Sequence, residues 1–107
     1  MKAATDLRLS NVAFAERDGS RAASSLGKTL RLKTTVDGSD GDAAFRFVGQ
    51  NAADIQPLDL QLEEFDGGSR TYTGDVTTPK VPFRVAVTGI DSNGFRYQRV
   101  DERLSTR

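Results

Sequence analysis

The feature that most constrains this chain is a two-residue alternation between positions 82 and 90. Phe83, Val85 and Val87 share one parity, and mostly polar residues occupy the other. Because successive side chains of a β-strand point to opposite faces, this pattern predicts a strand with one buried face. The turn-forming run Asp91-Ser92-Asn93-Gly94 follows it and predicts a β-hairpin with the segment 95–100.

Similar alternation recurs along the chain between turns rich in Gly, Asp, Asn and Ser. Further strands are predicted at 7–14, 30–36, 44–48, 58–63 and 70–77. In the first of these the apolar parity changes between Leu9 and Val12, which predicts a bulge near Ser10-Asn11 or a switch between sheets. Segments 17–26 and 50–56 are predicted loops.

About seven short strands without a helical period predict an all-β, immunoglobulin-like sandwich of two antiparallel sheets. A partly open barrel is the alternative. With 107 residues, the chain has the length of one domain, and a single β-sandwich domain is predicted over residues 1–107.

The composition argues against several classes of function. The chain has 15 Lys and Arg and 15 Asp and Glu, so it lacks the surplus of cations that binding to nucleic acid or to an anionic membrane requires. No apolar run reaches the roughly 18 residues needed for membrane insertion, and the first five residues do not look like a signal peptide. Without Cys, neither a disulfide nor a thiolate metal site is possible.

We expect no enzymatic activity. His, the usual general base for a Ser or Thr nucleophile, is absent, which leaves a Ser–Lys pair as the formal alternative. A glycosidase needs two carboxyl groups that face each other across a cleft. Glu63 and Glu64, near Asp66, are neighbours on a predicted strand and point to opposite faces. A solvated strand end explains this acidic group.

One acidic turn is a candidate calcium site. Asp37, Asp40 and Asp42 place three carboxylates within six residues, and calcium prefers oxygen ligands. The spacing does not fit an EF-hand loop, and an ordinary turn built from Asp, Gly and Ser explains the same letters. No other cofactor is expected.

The predicted C-terminal hairpin carries a candidate binding patch. Arg96 and Arg99, together with Arg84, are candidates for a cationic surface beside Tyr97. The alternative is cross-strand pairing with carboxylates on a solvated face. Arg99 is also a candidate to hold a carboxylate or backbone carbonyls at a sheet edge.

Three aromatic residues allow a second kind of site. Tyr72, Phe95 and Tyr97 are candidates for a platform that stacks on sugar rings, although Trp is absent. If they serve this purpose, at least one must be exposed and coplanar with another aromatic ring. Aromatic residues at alternating strand positions otherwise belong to the core.

Residues 81–100 read VPFRVAVTGIDSNGFRYQRV. This segment resembles the closing hairpin of β-sandwich modules that stand beside von Willebrand A domains in hemicentin-type proteins and in large secreted bacterial proteins. The resemblance implies an extracellular or periplasmic accessory module without catalytic residues. The resemblance is incomplete, because these 107 residues do not themselves include an A domain.

The sequence therefore predicts a non-catalytic accessory or protein-binding module of a secreted or periplasmic protein. Its expected partner is a neighbouring domain or another protein, and loops 17–26 and 50–56 are the expected contact surfaces. The alternative is a module that binds a carbohydrate or another polymer.

Overall fold

The computed structural model describes residues 7–22, 25–41, 43–51, 54–91, 93–101, 103 and 105. Within this part the chain forms nine β-strands and no helix. The strands are β1 Arg8–Ala15, β2 Arg21–Ala22, β3 Thr29–Asp37, β4 Ala44–Gly49, β5 Ile55–Leu58, β6 Gln61–Asp66, β7 Ser69–Thr77, β8 Phe83–Ile90 and β9 Arg96–Val100. No helix long and apolar enough to cross a bilayer is therefore present in the described residues.

The strands form two antiparallel sheets, which confirms the predicted β-sandwich. One sheet has five strands in the order β2-β1-β3-β7-β6, and the other has four in the order β5-β4-β8-β9. Every strand pair is antiparallel. Neither sheet closes on itself, so the alternative of a barrel is not the observed fold.

The core fills the space between the sheets, where the alternating residues of both sheets meet. Phe47 and Phe83 pack with ring centroids 4.7 Å apart, and Phe45 and Tyr72 pack at 4.8 Å. The inward positions predicted for the three clearest strands are all buried: Leu30, Leu32, Thr34, Val36, Phe45, Phe47, Phe83, Val85 and Val87. The two-residue period therefore identified the core faces of β3, β4 and β8 correctly.

The count of about seven strands was too low because both predicted loops contain strand residues. β2 lies within segment 17–26 and pairs with the end of β1. β5 begins at Ile55, inside segment 50–56, and pairs with β4. Both strands are short, with two and four residues, so they carry little periodic signal.

The first strand contains the predicted bulge. The register of β1 against β3 shifts between Leu9 and Asn11, so the extra residue is Ser10. The bulge reverses the parity, and as a result Leu7 and Val12 are both buried. The Thr34 hydroxyl donates a hydrogen bond to the Asn11 carbonyl at 2.7 Å beside this bulge.

The chain crosses between the sheets at Asp59 and Leu60, in the middle of a segment predicted as one strand. β5 belongs to the four-stranded sheet and β6 to the five-stranded one, so Leu58 and Leu60 pack into the core whereas Leu62 is exposed. Gly74 on β7 leaves room for this crossing: a Cβ built there would lie 2.9 Å from Leu60 Cδ2 and 3.0 Å from the Asp59 carbonyl oxygen.

Candidate functional site

Strand β6 is the most exposed element of the described chain. It is the last strand of the five-stranded sheet and pairs with β7 alone, so its other backbone edge is open. All six of its residues are exposed. Because neighbouring side chains point to opposite faces, the other sheet covers neither face of this strand.

The inner face of β6 carries two exposed apolar side chains. Leu62 lies opposite Tyr72 and is 45% exposed, and Phe65 lies opposite Arg70 and is 56% exposed. The Arg70 guanidinium carbon stands 4.3 Å from the centre of the Phe65 ring. Arg70 Nε is buried there and has no hydrogen-bond partner within the described structure. Arg70 and Phe65 thus form a cation–π pair at the open side of the sheet.

The outer side of β6 is acidic. Glu64 lies opposite Thr71 and Asp66 opposite Ser69, both on the face that points away from the core. Glu63 forms an ion pair with Lys33 across the sheet, at 3.8 Å between Oε2 and Nζ. The register shift between Leu62 and Glu64 is a bulge at the edge. Charge and a bulge on an edge strand reduce unspecific strand pairing.

Strand β9 is one edge strand of the four-stranded sheet, and β5 is the other. Tyr97 and Arg99 lie opposite inward-facing Gly89 and Val87, so they share the inner face, with the Arg99 guanidinium carbon 6.0 Å from the Tyr97 ring centre. Arg96 lies opposite Ile90 on the outer face. The structure therefore brings Tyr97 and Arg99 together but places Arg96 on the other side of the strand.

Arg84 also lies on the outer face, but near the opposite end of β8 from Arg96. The Arg46 guanidinium on β4 donates a hydrogen bond to the Gln98 side chain of β9 and crosses over β8 between them. No carboxylate of the described residues forms an ion pair with Arg84, Arg96 or Arg99. The predicted alternative of cross-strand ion pairs at these arginines is not what the described part of the chain shows.

Arg99 fulfils the role predicted for it at a sheet edge. Its Nε donates to the Leu7 carbonyl at 3.0 Å, and Arg103 donates to the Val12 carbonyl at 2.7 Å. Both carbonyls belong to the N-terminal edge of the other sheet. The two arginines line a groove of about 550 Å³ between the sheets, and they occupy hydrogen-bond acceptors that another strand would otherwise use.

The candidate calcium ligands are only partly described. Asp37 accepts a hydrogen bond from the Ser69 hydroxyl, and Asp40 is exposed with its backbone N–H bonded to the Ile90 carbonyl. Asp42 lies outside the described residues. No group of three acidic side chains in the described ranges is arranged to hold a metal ion. Calcium binding at this turn stays a prediction.

The three candidate aromatic residues for sugar stacking are in different environments. Tyr72 is buried against Phe45, Tyr97 is half-buried, and Phe95 is 58% exposed in the turn before β9. The hairpin that carries Phe95 has the predicted Asp cap: Asp91 Oδ1 accepts the backbone N–H groups of Asn93 and Phe95, each at 3.0 Å. Among these three residues, then, Phe95 alone is mostly exposed to solvent.

Residue pairs that would support hydrolysis are not arranged in a cleft. Glu63 and Glu64 lie on the exposed edge strand β6. Ser25 and Lys28 have the spacing of a Ser-x-x-Lys pair, but they lie in the turn before β3 rather than on a helix, and Lys28 is exposed. Only a helix would place positions three apart on one face.

The predicted contact loops are described except for residues 23–24 and 52–53. In the first, the Asp18 carboxylate accepts the Ser20 hydroxyl at 2.6 Å and the Ser20 backbone N–H at 2.9 Å. These hydrogen bonds from Ser20 lower the pKa of Asp18. Beside the second loop, Ile55 and Val81 are exposed and line a groove of about 260 Å³. Both loops stay candidate contact surfaces. Strand β6 is a further candidate, which was not predicted from the sequence.

These features define the class of protein: a two-sheet antiparallel β-sandwich domain. Among its four edge strands, β2, β5, β6 and β9, β6 is acidic and β9 is basic. Comparison with protein-family models, with curated proteins and with solved structures finds no match to this chain.

Proposed function

We propose that this chain is a non-catalytic protein-binding module that accepts an extended segment of a partner protein at the open edge of β6. The observation that carries this proposal is the exposure of all six β6 residues beside an unpaired backbone edge. An added strand would form main-chain hydrogen bonds with β6 and place alternate side chains on its two faces.

The side chains of β6 specify the chemistry of this segment. On the inner face, the segment would place apolar residues beside Leu62 and Phe65. On the outer face it would place Lys or Arg beside Glu64 and Asp66. Opposite charges across a strand pair stabilise it, and like charges destabilise it. We therefore infer a partner segment in which apolar and basic residues alternate.

The setting that we propose for the module is a secreted or periplasmic protein, in which it supports or docks a neighbouring domain. The resemblance of residues 81–100 to immunoglobulin-like modules beside von Willebrand A domains supports this setting. Three residues of the resembling segment, Phe83, Val85 and Val87, are buried in the core. They support a similar fold and do not indicate which ligand the module binds.

Binding of a carbohydrate is the alternative that we propose second. Phe95 supports it, because its ring is largely exposed. The edge of β6 supports protein binding more strongly, since it offers backbone donors and acceptors, two apolar side chains and fixed charges together.

A synthetic peptide that alternates Lys with Val tests the proposal against a Glu–Val peptide of equal length. We expect the Lys–Val peptide to bind and to shift the backbone NMR signals of residues 61–66. Reversing the charges with Glu64→Lys and Asp66→Lys should weaken its binding by about tenfold or more, because two attractive cross-strand pairs become repulsive.

Glu16→Lys is the matched control, because Glu16 is also exposed but lies after β1, on the far side of the five-stranded sheet. It should leave the affinity within about twofold of the unmodified chain, since distant exposed charges are screened. Equal binding of the two peptides, or equal losses from Glu16→Lys and from the β6 reversals, would show that β6 is not the site.

A further inference from the structure

Another edge strand of the sandwich, β9, carries the opposite charge to β6. Its five residues, Arg96–Val100, include two arginines and no carboxylate. β6 includes Glu63, Glu64 and Asp66 and no basic residue. Both strands lie at the end of their sheet, and each pairs with a neighbour on one side only. We propose that the strand received at β6 is β9 of a second copy of this chain.

This inference rests on the proposed function of β6 and names its partner. Pairing of β6 with β6 of another copy would bring carboxylates together, and pairing of β9 with β9 would offer no carboxylate to either arginine. Like charges at opposite positions destabilise a strand pair. The same charges favour β6 against β9, so they select pairing between the two different edges.

One antiparallel register satisfies both faces of the two strands. With Asp66 opposite Arg96 on the outer face, Phe65 stands opposite Tyr97 on the inner face, and Glu64 stands opposite Gln98. Phe65 is exposed and Tyr97 half-buried in the single chain, so this pairing would remove apolar ring surface from water.

The positions of the two strands determine the form of the assembly. β9 lies beside β1, as the hydrogen bond from Arg99 to the Leu7 carbonyl shows, whereas β6 lies at the opposite end of the five-stranded sheet. A single copy therefore cannot pair its own two edges. Each copy would use β6 for one neighbour and β9 for another. This is a head-to-tail contact, which produces rings or open chains rather than a dimer with one self-complementary interface.

Sedimentation velocity of the full chain over a range of concentrations tests this proposal. The average mass should rise beyond that of a dimer as the concentration increases. It should fall when the salt is raised to about 0.5 M, because screening weakens the charge pairs. A discrete dimer with no larger species, or a monomer at every concentration, would overturn the proposal.

A charge exchange provides the sharper test. Asp66→Arg and Arg96→Asp should each weaken self-association by about fivefold or more, because each places like charges opposite each other. The double variant exchanges the signs of the two edges and should restore self-association. Failure of the double variant to recover, with its fold intact by circular dichroism, would refute the register.

The outcome is separable from that of the peptide experiment. If the Lys–Val peptide binds at β6 while the unmodified chain stays monomeric, the second copy is not the partner and the protein-binding function stands. If neither the peptide nor a second copy binds, both proposals fail. Glu16→Lys again serves as the control, and it should leave self-association unchanged.

Discussion

Replacement of Gly74 by Ala tests how closely the chain passes over the sheet when it crosses from β5 to β6. The added Cβ would lie 2.9 Å from Leu60 Cδ2 and 3.0 Å from the Asp59 carbonyl oxygen. The first atom is the end of a side chain that can rotate, but the second belongs to the backbone of the crossing segment. Relief of both contacts therefore requires that the crossing segment move away from β7.

The expected cost follows from this geometry. Overpacking of a filled site typically costs about 1–3 kcal/mol. A domain of this size has a total stability of about 5–15 kcal/mol, so the loss is a sizeable fraction of it. Each kcal/mol lowers the melting temperature by roughly 4 °C or more in a domain of this length. We expect Gly74→Ala to lower the melting temperature by about 5–15 °C.

Two other glycines provide matched controls for the same substitution. A Cβ on Gly68 would meet no atom within 4 Å, and a Cβ on Gly89 would meet its nearest atom, Leu7 Cδ1, at 3.4 Å. Neither of them has the positive φ that would strain an alanine. Gly68→Ala and Gly89→Ala should therefore have smaller effects than Gly74→Ala.

Chemical denaturation of the three variants, monitored by circular dichroism, compares them directly. A second substitution, Leu60→Ala, would remove one of the two close contacts of Gly74→Ala and leave the contact with the Asp59 carbonyl oxygen. The double variant should therefore lose less stability than the sum of the two single losses, but the clash should not be fully relieved. If Gly74→Ala is as stable as Gly68→Ala, the crossing segment does not lie where the structure places it.

Two further predictions concern the core and the first turn. Val85→Asp should leave the chain unfolded in a circular dichroism melt, because Val85 is buried between the sheets and the new carboxylate would be buried there without a partner. A cooperative melt close to that of the unmodified chain would contradict the assignment of Val85 to the core face. NMR titration should give Asp18 a pKa below its ordinary value of 3.8, and Ser20→Ala should raise it, because Ser20 supplies the main hydrogen bonds. Since the pKa of Asp18 is lowered in the folded state, its carboxylate should stabilise this turn at pH values above the ordinary pKa of Asp. This stabilisation should be lost as the pH falls through the folded-state pKa of Asp18.

The elements with a covered face and a regular period were predictable from the sequence. β3, β4 and β8 alternate between the core and the outside, so their inward residues could be named before the structure was known. The bulge at Ser10 could also be located, because Leu7 and Val12 must both reach the core. In each case burial of one face imposes the pattern, and the pattern therefore reports the fold.

The crossover at Asp59 and Leu60 could not be predicted in this way. Leu58, Leu60 and Leu62 keep one parity, so the alternation reads as a single strand. The chain changes sheets within that run, and Leu62 consequently faces solvent on β6 rather than the core. Alternation records which side of a strand is apolar but does not record the sheet to which the strand belongs.

The candidate site was missed for a related reason. An edge strand is defined by the order of strands in its sheet, and this order depends on contacts distant in sequence, such as the pairing of β3 with β7. One local signal was available: Phe65 has the opposite parity to Leu62, which indicates a bulge between them. The bulge at Ser10 has the same effect on β1, where Leu7 and Val12 are both buried. At an open edge the bulge on β6 keeps Leu62 and Phe65 on the same face, where a second strand can contact both.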